Sequence, residues 1–150
     1  MSNKKVDLKN IIKDPKATAI LKQFKNNTDP NYTGPGTWDL LHRLAFKAKT
    51  SKLEREFIDT MKEGCFGFNC IECRNHCKDY IKNNPLEEYI DSFITIDNVK
   101  MRLGLFVWTW KFHNSVNARL GKPIMSWDTA YNLYSESENL VCTKSCMDAK

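Results

Sequence analysis

Apolar residues recur at helical spacing along most of the chain. Trp38, Leu41, His42, Ala45 and Phe46 share one face and predict a helix over 37–49, with Thr37 as its N-cap. Leu53, Phe57, Ile58 and Met61 mark a second over 52–62, with Glu54, Arg55, Glu56 and Asp59 outside and Glu63-Gly64 at its end. Asn69 is placed to cap a third, 70–83, which stops at Asn83-Asn84-Pro85. Asp97 reads as the cap of the longest helix, 98–120. Its apolar face runs Val99, Leu103, Phe106, Val107, Trp110, His113, Val116 or Asn117, and Leu120, and Gly121 and Pro123 stop it. Ser126 caps a last short helix through Tyr134. No alternating strand pattern is longer than Phe93 to Ile96, and no internal repeat is visible. The fold class is therefore all-α, a four-helix bundle plus a short fifth helix.

Two breaks precede the bundle, Asn26–Pro30 and Gly34-Pro35-Gly36. The chain divides into a Lys-rich lead-in (1–30), a helical domain (31–135) and a polar tail (136–150). With 150 residues, 41% hydrophobic and 27% charged, there is enough apolar material for one domain with a core. No apolar run approaches the ~20 residues that span a bilayer, and the N-terminus shows no secretory signal. Much of the net charge of +5 comes from the lead-in, where Lys4, Lys5, Lys9, Lys13, Lys16, Lys22 and Lys25 outnumber Asp7, Asp14 and Asp29. That segment reads as a solvated arm or as a docking arm for an acidic partner. It lacks the Arg and aromatic interleaving of a nucleic-acid surface, so no nucleic acid is expected.

The six cysteines form two groups, Cys65, Cys70, Cys73 and Cys77, and then Cys142 and Cys146 in the tail. Stable disulfides are uncommon in a reducing cytosol, so these cysteines point to metal or redox chemistry. Cys70 and Cys73 stand at a helix start, where free N–H groups and the helix dipole favour thiolate and lower a cysteine pKa. A low-pKa thiol attacks disulfides well at neutral pH. The four cysteines of 65–77 suit a zinc ion equally. Cys65, Cys70 and Cys73 also match plant-type iron–sulfur spacing, although a fourth ligand should then come from far downstream. Trp38 and His42 share a helix face, as core packing or as part of a site. His113, Asn114 and Asn117 in an apolar helix are expensive unless hydrogen-bonded, and bundles hold cofactors through such inward polar groups. Lys122 follows the helix end, within reach of an anionic group.

Taken together, Gly34-x-x-x-Trp38-x-x-Leu41-His42-x-x-Ala45, Cys70-x-x-Cys73-x-x-His76, Trp108 and His113-Asn114-x-Val116-Asn117-x-x-Leu120-Gly121-Lys122-Pro123 resemble the Erv/ALR family of FAD-linked sulfhydryl oxidases. The resemblance covers about residues 34–135 and is greatest to the oxidases of large nucleocytoplasmic DNA viruses. It implies FAD held at one end of the bundle by Gly34, Thr37, Trp38, His42, His76, His113, Asn114, Val116, Asn117, Leu120 and Lys122, with no metal. It implies that Cys73 is the flavin-proximal thiol and Cys70 the outer sulfur attacked by an incoming dithiol, with O2 reduced to hydrogen peroxide. Substrates would be protein dithiols, reached directly or through a thioredoxin-like relay. The enzyme would be a homodimer packed through its N-terminal helices, in the host cytoplasm or the virion. Cys142 and Cys146 would be a shuttle pair acting in cis or in trans, while Cys65 and Cys77 either pair with each other or stay reduced. Many relatives carry a structural cysteine pair at the positions of Trp110 and Trp127. Aromatic burial, against the bundle or the adenine side of FAD, is therefore expected to replace a staple that contributes ~2–4 kcal/mol. The alternative is a zinc-binding interaction module built on the 65–77 cysteines.

Overall fold

The computed structural model describes residues 30–68 and 70–136. The Lys-rich lead-in apart from Pro30, the expected cap Asn69, and Cys142 and Cys146 lie outside them. The described helices are α1 (Pro30–Lys47), α2 (Ser51–Gly64), α3 (Ile71–Asn83), α4 (Gly104–Arg119) and α5 (Trp127–Glu136). α1 begins about two turns before Thr37 and runs straight through the Gly34-Pro35-Gly36 break. Pro35 forfeits one backbone hydrogen bond, but its fixed φ is helical, and Gly34 has no Cβ to clash with the proline ring. Thr37 is therefore not a cap, and its Oγ1 donates to the Thr33 carbonyl at 2.9 Å within the helix. Leu41, His42, Ala45 and Phe46 are buried, as their spacing predicts.

Thr50 caps α2, its hydroxyl accepting the Leu53 N–H at 3.2 Å. Phe57, Ile58 and Met61 are buried, but the first turn departs from the predicted face. Leu53 is exposed, while Glu54, expected outside, is only 1% exposed. The Glu54 carboxylate accepts from Arg102 Nη1 at 2.9 Å and from the Asp91 N–H at 3.2 Å. A guanidinium and a backbone donor make that burial tolerable.

The helix predicted from Asp97 begins only at Gly104. Before it, β1 (Phe93–Ile96) pairs antiparallel with β2 (Val99–Arg102). Asp97 and Asn98 close this hairpin at φ 49° and 64°. Positive φ at both turn residues suits the twist of the strands, and Asp and Asn tolerate it. An Asp between apolar runs signals a helix cap or a tight turn alike, which is why the sequence pattern misplaces this start. At Gly104 a Cβ would stand 2.1 Å from the Tyr89 carbonyl oxygen, so glycine is needed for α4 to begin there.

α4 is the central helix, packed on α1 and on the short turn Leu86–Tyr89. Leu105, Phe106, Trp108, Thr109 and Phe112 are all buried, on more sides than the single predicted face. Ser126 caps α5 as expected, accepting the Thr129 N–H at 3.1 Å. Trp110 and Trp127 meet edge to face with centroids 5.6 Å apart, and Trp110 Nε1 donates to the Met125 carbonyl at 2.8 Å. Aromatic packing thus joins α4 to α5 where a cysteine pair was implied. Both rings are partly buried, so Trp110→Ala or Trp127→Ala is expected to cost about 2 kcal/mol and lower Tm by roughly 6–8 °C. The resemblance implies weaker flavin retention as well, because the loop over 121–126 loses an anchor. Wild-type melting and flavin occupancy in both variants would sink the idea.

Candidate active site

The chain leaves α2 through a 3-10 turn, Cys65–Gly67, and enters α3 with Cys70 as N-cap. Cys65 and Cys77, both buried, are joined by a disulfide that pins this turn to α3. The bond removes two of the four sulfurs that a zinc site over 65–77 would need. Among the described residues no group of three or more His, Cys, Asp or Glu could hold a metal ion.

Cys70 and Cys73 are free thiols. Cys70 Sγ accepts the Cys73 N–H at 3.2 Å, so this sulfur takes the capping place expected of Asn69. The Cys73 thiol and then its backbone N–H, both hydrogen-bonded to Cys70, hold the Cys70 thiol below its ordinary pKa. Cys73 moves the other way. Burial raises it first, then the hydrogen bond and charge of Cys70, with Arg119 opposing. The lowering expected for the pair therefore applies to Cys70 alone, and the proton of the half-ionised pair rests on Cys73.

Cys70 and Cys73 both line a cavity of about 770 Å³. Gly34, Thr37 and Trp38 of α1 form one wall, and His113, Val116 and Asn117 of α4 with Leu120, its C-cap, form the other. The Trp38 ring lies parallel to His113 at 4.2 Å and 4°. Gly121, at φ 64°, turns the chain back so that the Lys122 N–H donates to the Asn117 carbonyl at 2.8 Å, which sets Lys122 at the cavity.

Three residues expected at this site do not line the cavity. His42 is wholly buried behind His113, its Nε2 3.0 Å from His113 Nδ1. His76 packs on Phe112, centroids 6.1 Å apart. Asn114 turns to the 121–126 loop, donating to the Met125 carbonyl and accepting the Met125 N–H, both at 2.9 Å. Its cost in an apolar helix is met by that loop, which it clamps alongside Trp110. Burial, and then the charge of each ring's neighbour, pushes His42 down to about 3 and His113 to about 4.

Among the lining residues not singled out in the sequence are Arg119 and Tyr134. Arg119 lines the cavity, and its charge favours thiolate at Cys73. It stands three residues after Val116, within the motif block, yet reads locally as an ordinary cation at a helix end. Tyr134 enters from α5 and stacks on His42 at 4.8 Å, with nothing nearby in sequence to announce it.

Residues 35–136 match the Erv1 / Alr family. The FAD-linked sulfhydryl oxidase of African swine fever virus is 34% identical over 107 residues, covering 69% of this chain and 81% of the viral protein. The FAD-linked sulfhydryl oxidase ERV1 of Oryza sativa subsp. japonica is 29% identical over 115 residues, covering 75% of this chain and 50% of the plant protein. The crystal structure of the yeast Erv1 core superposes with a TM-score of 0.58 at 22% identity, covering 72% of this chain and 85% of that one, and so shares the fold.

Proposed function

This chain belongs to the Erv1 / Alr family, and on that premise we propose that it is an FAD-linked sulfhydryl oxidase that makes disulfides in protein substrates. The observation that carries this reading is a free Cys70 and Cys73 pair lining a cavity of about 770 Å³ with a flat aromatic wall. The cavity suits FAD, since its volume is in the range of cofactor sites and Trp38 offers a face to a planar ring system. Asn117 would supply hydrogen bonds to FAD, and Lys122 and Arg119, which also line the cavity, would supply charge for its pyrophosphate. Bound FAD would supply a two-electron acceptor that O2 reoxidises with formation of hydrogen peroxide.

The protein's own part is thiol–disulfide exchange. In the oxidised pair a substrate thiolate attacks Cys70, which as a free thiol is the less buried of the two. A substrate–Cys70 bond forms, the Cys70–Cys73 bond breaks, and the electron pair leaves on Cys73. Cys70 is then neutral, so its raising influence on Cys73 is gone and Arg119 remains to favour the thiolate. A second substrate thiol, losing its proton to solvent, attacks the mixed disulfide and expels Cys70 as a thiolate. The Cys73 N–H at the start of α3 stabilises that leaving group. The substrate departs with its disulfide, and the pair holds the two electrons that the cofactor's chemistry removes.

Exposed Leu40 and Leu44, one turn apart on α1, support a homodimer packed through that helix. A catalytic domain over 31–135 followed by a Cys142 and Cys146 shuttle belongs to the same proposal, as does action in host cytoplasm or virion. Among the described residues no helix is long and apolar enough to cross a membrane. The purified protein is expected to be yellow, absorbing near roughly 450 nm, and to consume oxygen with dithiothreitol. A colourless protein that takes up no oxygen and releases zinc to a chelator would overturn the reading.

A further inference from the structure

The chain has three histidines, and two of them share a hydrogen bond. His42 Nε2 lies 3.0 Å from His113 Nδ1. His42 is fully buried, and among the described residues its Nδ1 has no hydrogen-bond partner. Its surroundings are aromatic, with Tyr134 stacked at 4.8 Å, Phe106 edge-on at 5.7 Å and Trp38 tilted at 6.3 Å. One neutral imidazole must donate to the other, and that choice decides both tautomers. Were His113 to donate from Nδ1, His42 would carry its proton on Nδ1, a buried N–H without an acceptor. Folded proteins rarely leave such a donor orphaned, and tolerate an unshared acceptor somewhat better. If His42 donates from Nε2, its Nδ1 keeps only a lone pair, and the proton of His113 must sit on Nε2.

We infer that His42 is a positioning residue that locks His113 in its Nε2–H tautomer, so that His113 offers the cavity a hydrogen-bond donor rather than an acceptor. The ring of His113 lines the cavity, its Nδ1 is taken by His42, and Trp38, parallel at 4.2 Å, holds its plane. Burial keeps both rings neutral, so the donor persists across neutral pH. The lock favours a ligand with an acceptor at this point (a ring nitrogen, a carbonyl or a phosphate oxygen) and disfavours one with a donor. The ligand half of this inference rests on the reading that the cavity holds FAD, which carries all three acceptor types.

Two-bond 15N–1H correlation spectra of the 15N-labelled holoprotein report which imidazole nitrogen carries each proton, and three histidines can be assigned by single substitutions. The expected result is a His113 proton on Nε2 in the wild type. In His42→Phe, which keeps an aromatic ring in the aromatic pocket, that preference should be lost and the flavin Kd should rise about tenfold. His42→Gln, whose amide nitrogen replaces the Nε2 donor, should restore both. A wild-type His113 proton on Nδ1 would overturn the inference, and so would an unchanged Nε2–H in His42→Phe. If His42→Phe does not fold, the wild-type spectrum still decides. An Nε2–H tautomer in a protein without flavin would uphold the lock and sink the FAD reading instead.

Discussion

Cys73→Ser is expected to lower thiol oxidation by roughly 10³-fold or more while leaving fold and flavin content intact. A serine hydroxyl can neither form the disulfide with Cys70 nor leave as a stabilised anion when a substrate attacks. The fold should survive, because the Cys65–Cys77 bond and the buried face of α4 hold this region, and Cys73 itself is only partly buried. Oxygen consumption with dithiothreitol measures the loss, and activity within tenfold of wild type would remove Cys73 from the mechanism. Cys70→Ser should be equally inactive but differ in thiol chemistry. Cys73 is raised first by burial and then by Cys70, so deleting Cys70 should let Cys73 ionise at lower pH than in the reduced wild-type pair. Alkylation of the remaining thiol followed against pH would show that downward move, and an upward one would contradict the shared-proton description.

Arg102→Ala should destabilise the protein by about 3–5 kcal/mol, because it strands a carboxylate in the interior. Glu54 is 1% exposed and faces Arg102 at 2.9 Å, and Arg102 also pairs with Asp91 at 2.8 Å. With the guanidinium gone, the Asp91 N–H is left to meet that carboxylate alone among the described residues. The expected fall in Tm is roughly 10–15 °C for a chain of this size. The double variant Glu54→Leu/Arg102→Leu should recover most of it, since replacing both partners leaves no buried charge. A melting point for Arg102→Ala within ~3 °C of wild type would show that the pair does not hold the hairpin on α2.

The helical class, the buried face of α1 and the end of α3 were legible because each is written in local periodicity or punctuation. The hairpin was not, because Asp97 and Asn98 serve a turn as readily as a helix start, and only the packing of Gly104 under Tyr89 chooses between them. The cavity wall was legible where side chains share a helix face, as His113 and Asn117 do. The buried face of α2 was misread at Glu54 because charge on a helix usually means solvent.

By itself, then, the sequence determined the all-α class, the spacing of Cys70 and Cys73 at a helix start, and the motif blocks that mark the family. Such features need only neighbours within a turn or two. Tertiary structure alone decided which polar residues reach the cavity. Asn114 turned to a partner 11 residues away, Glu54 to one 48 away, and His42 withdrew to meet His113 across 71. A buried polar group goes where its hydrogen-bond partner lies, and no local pattern encodes a partner that only the packing of helices brings within 3 Å.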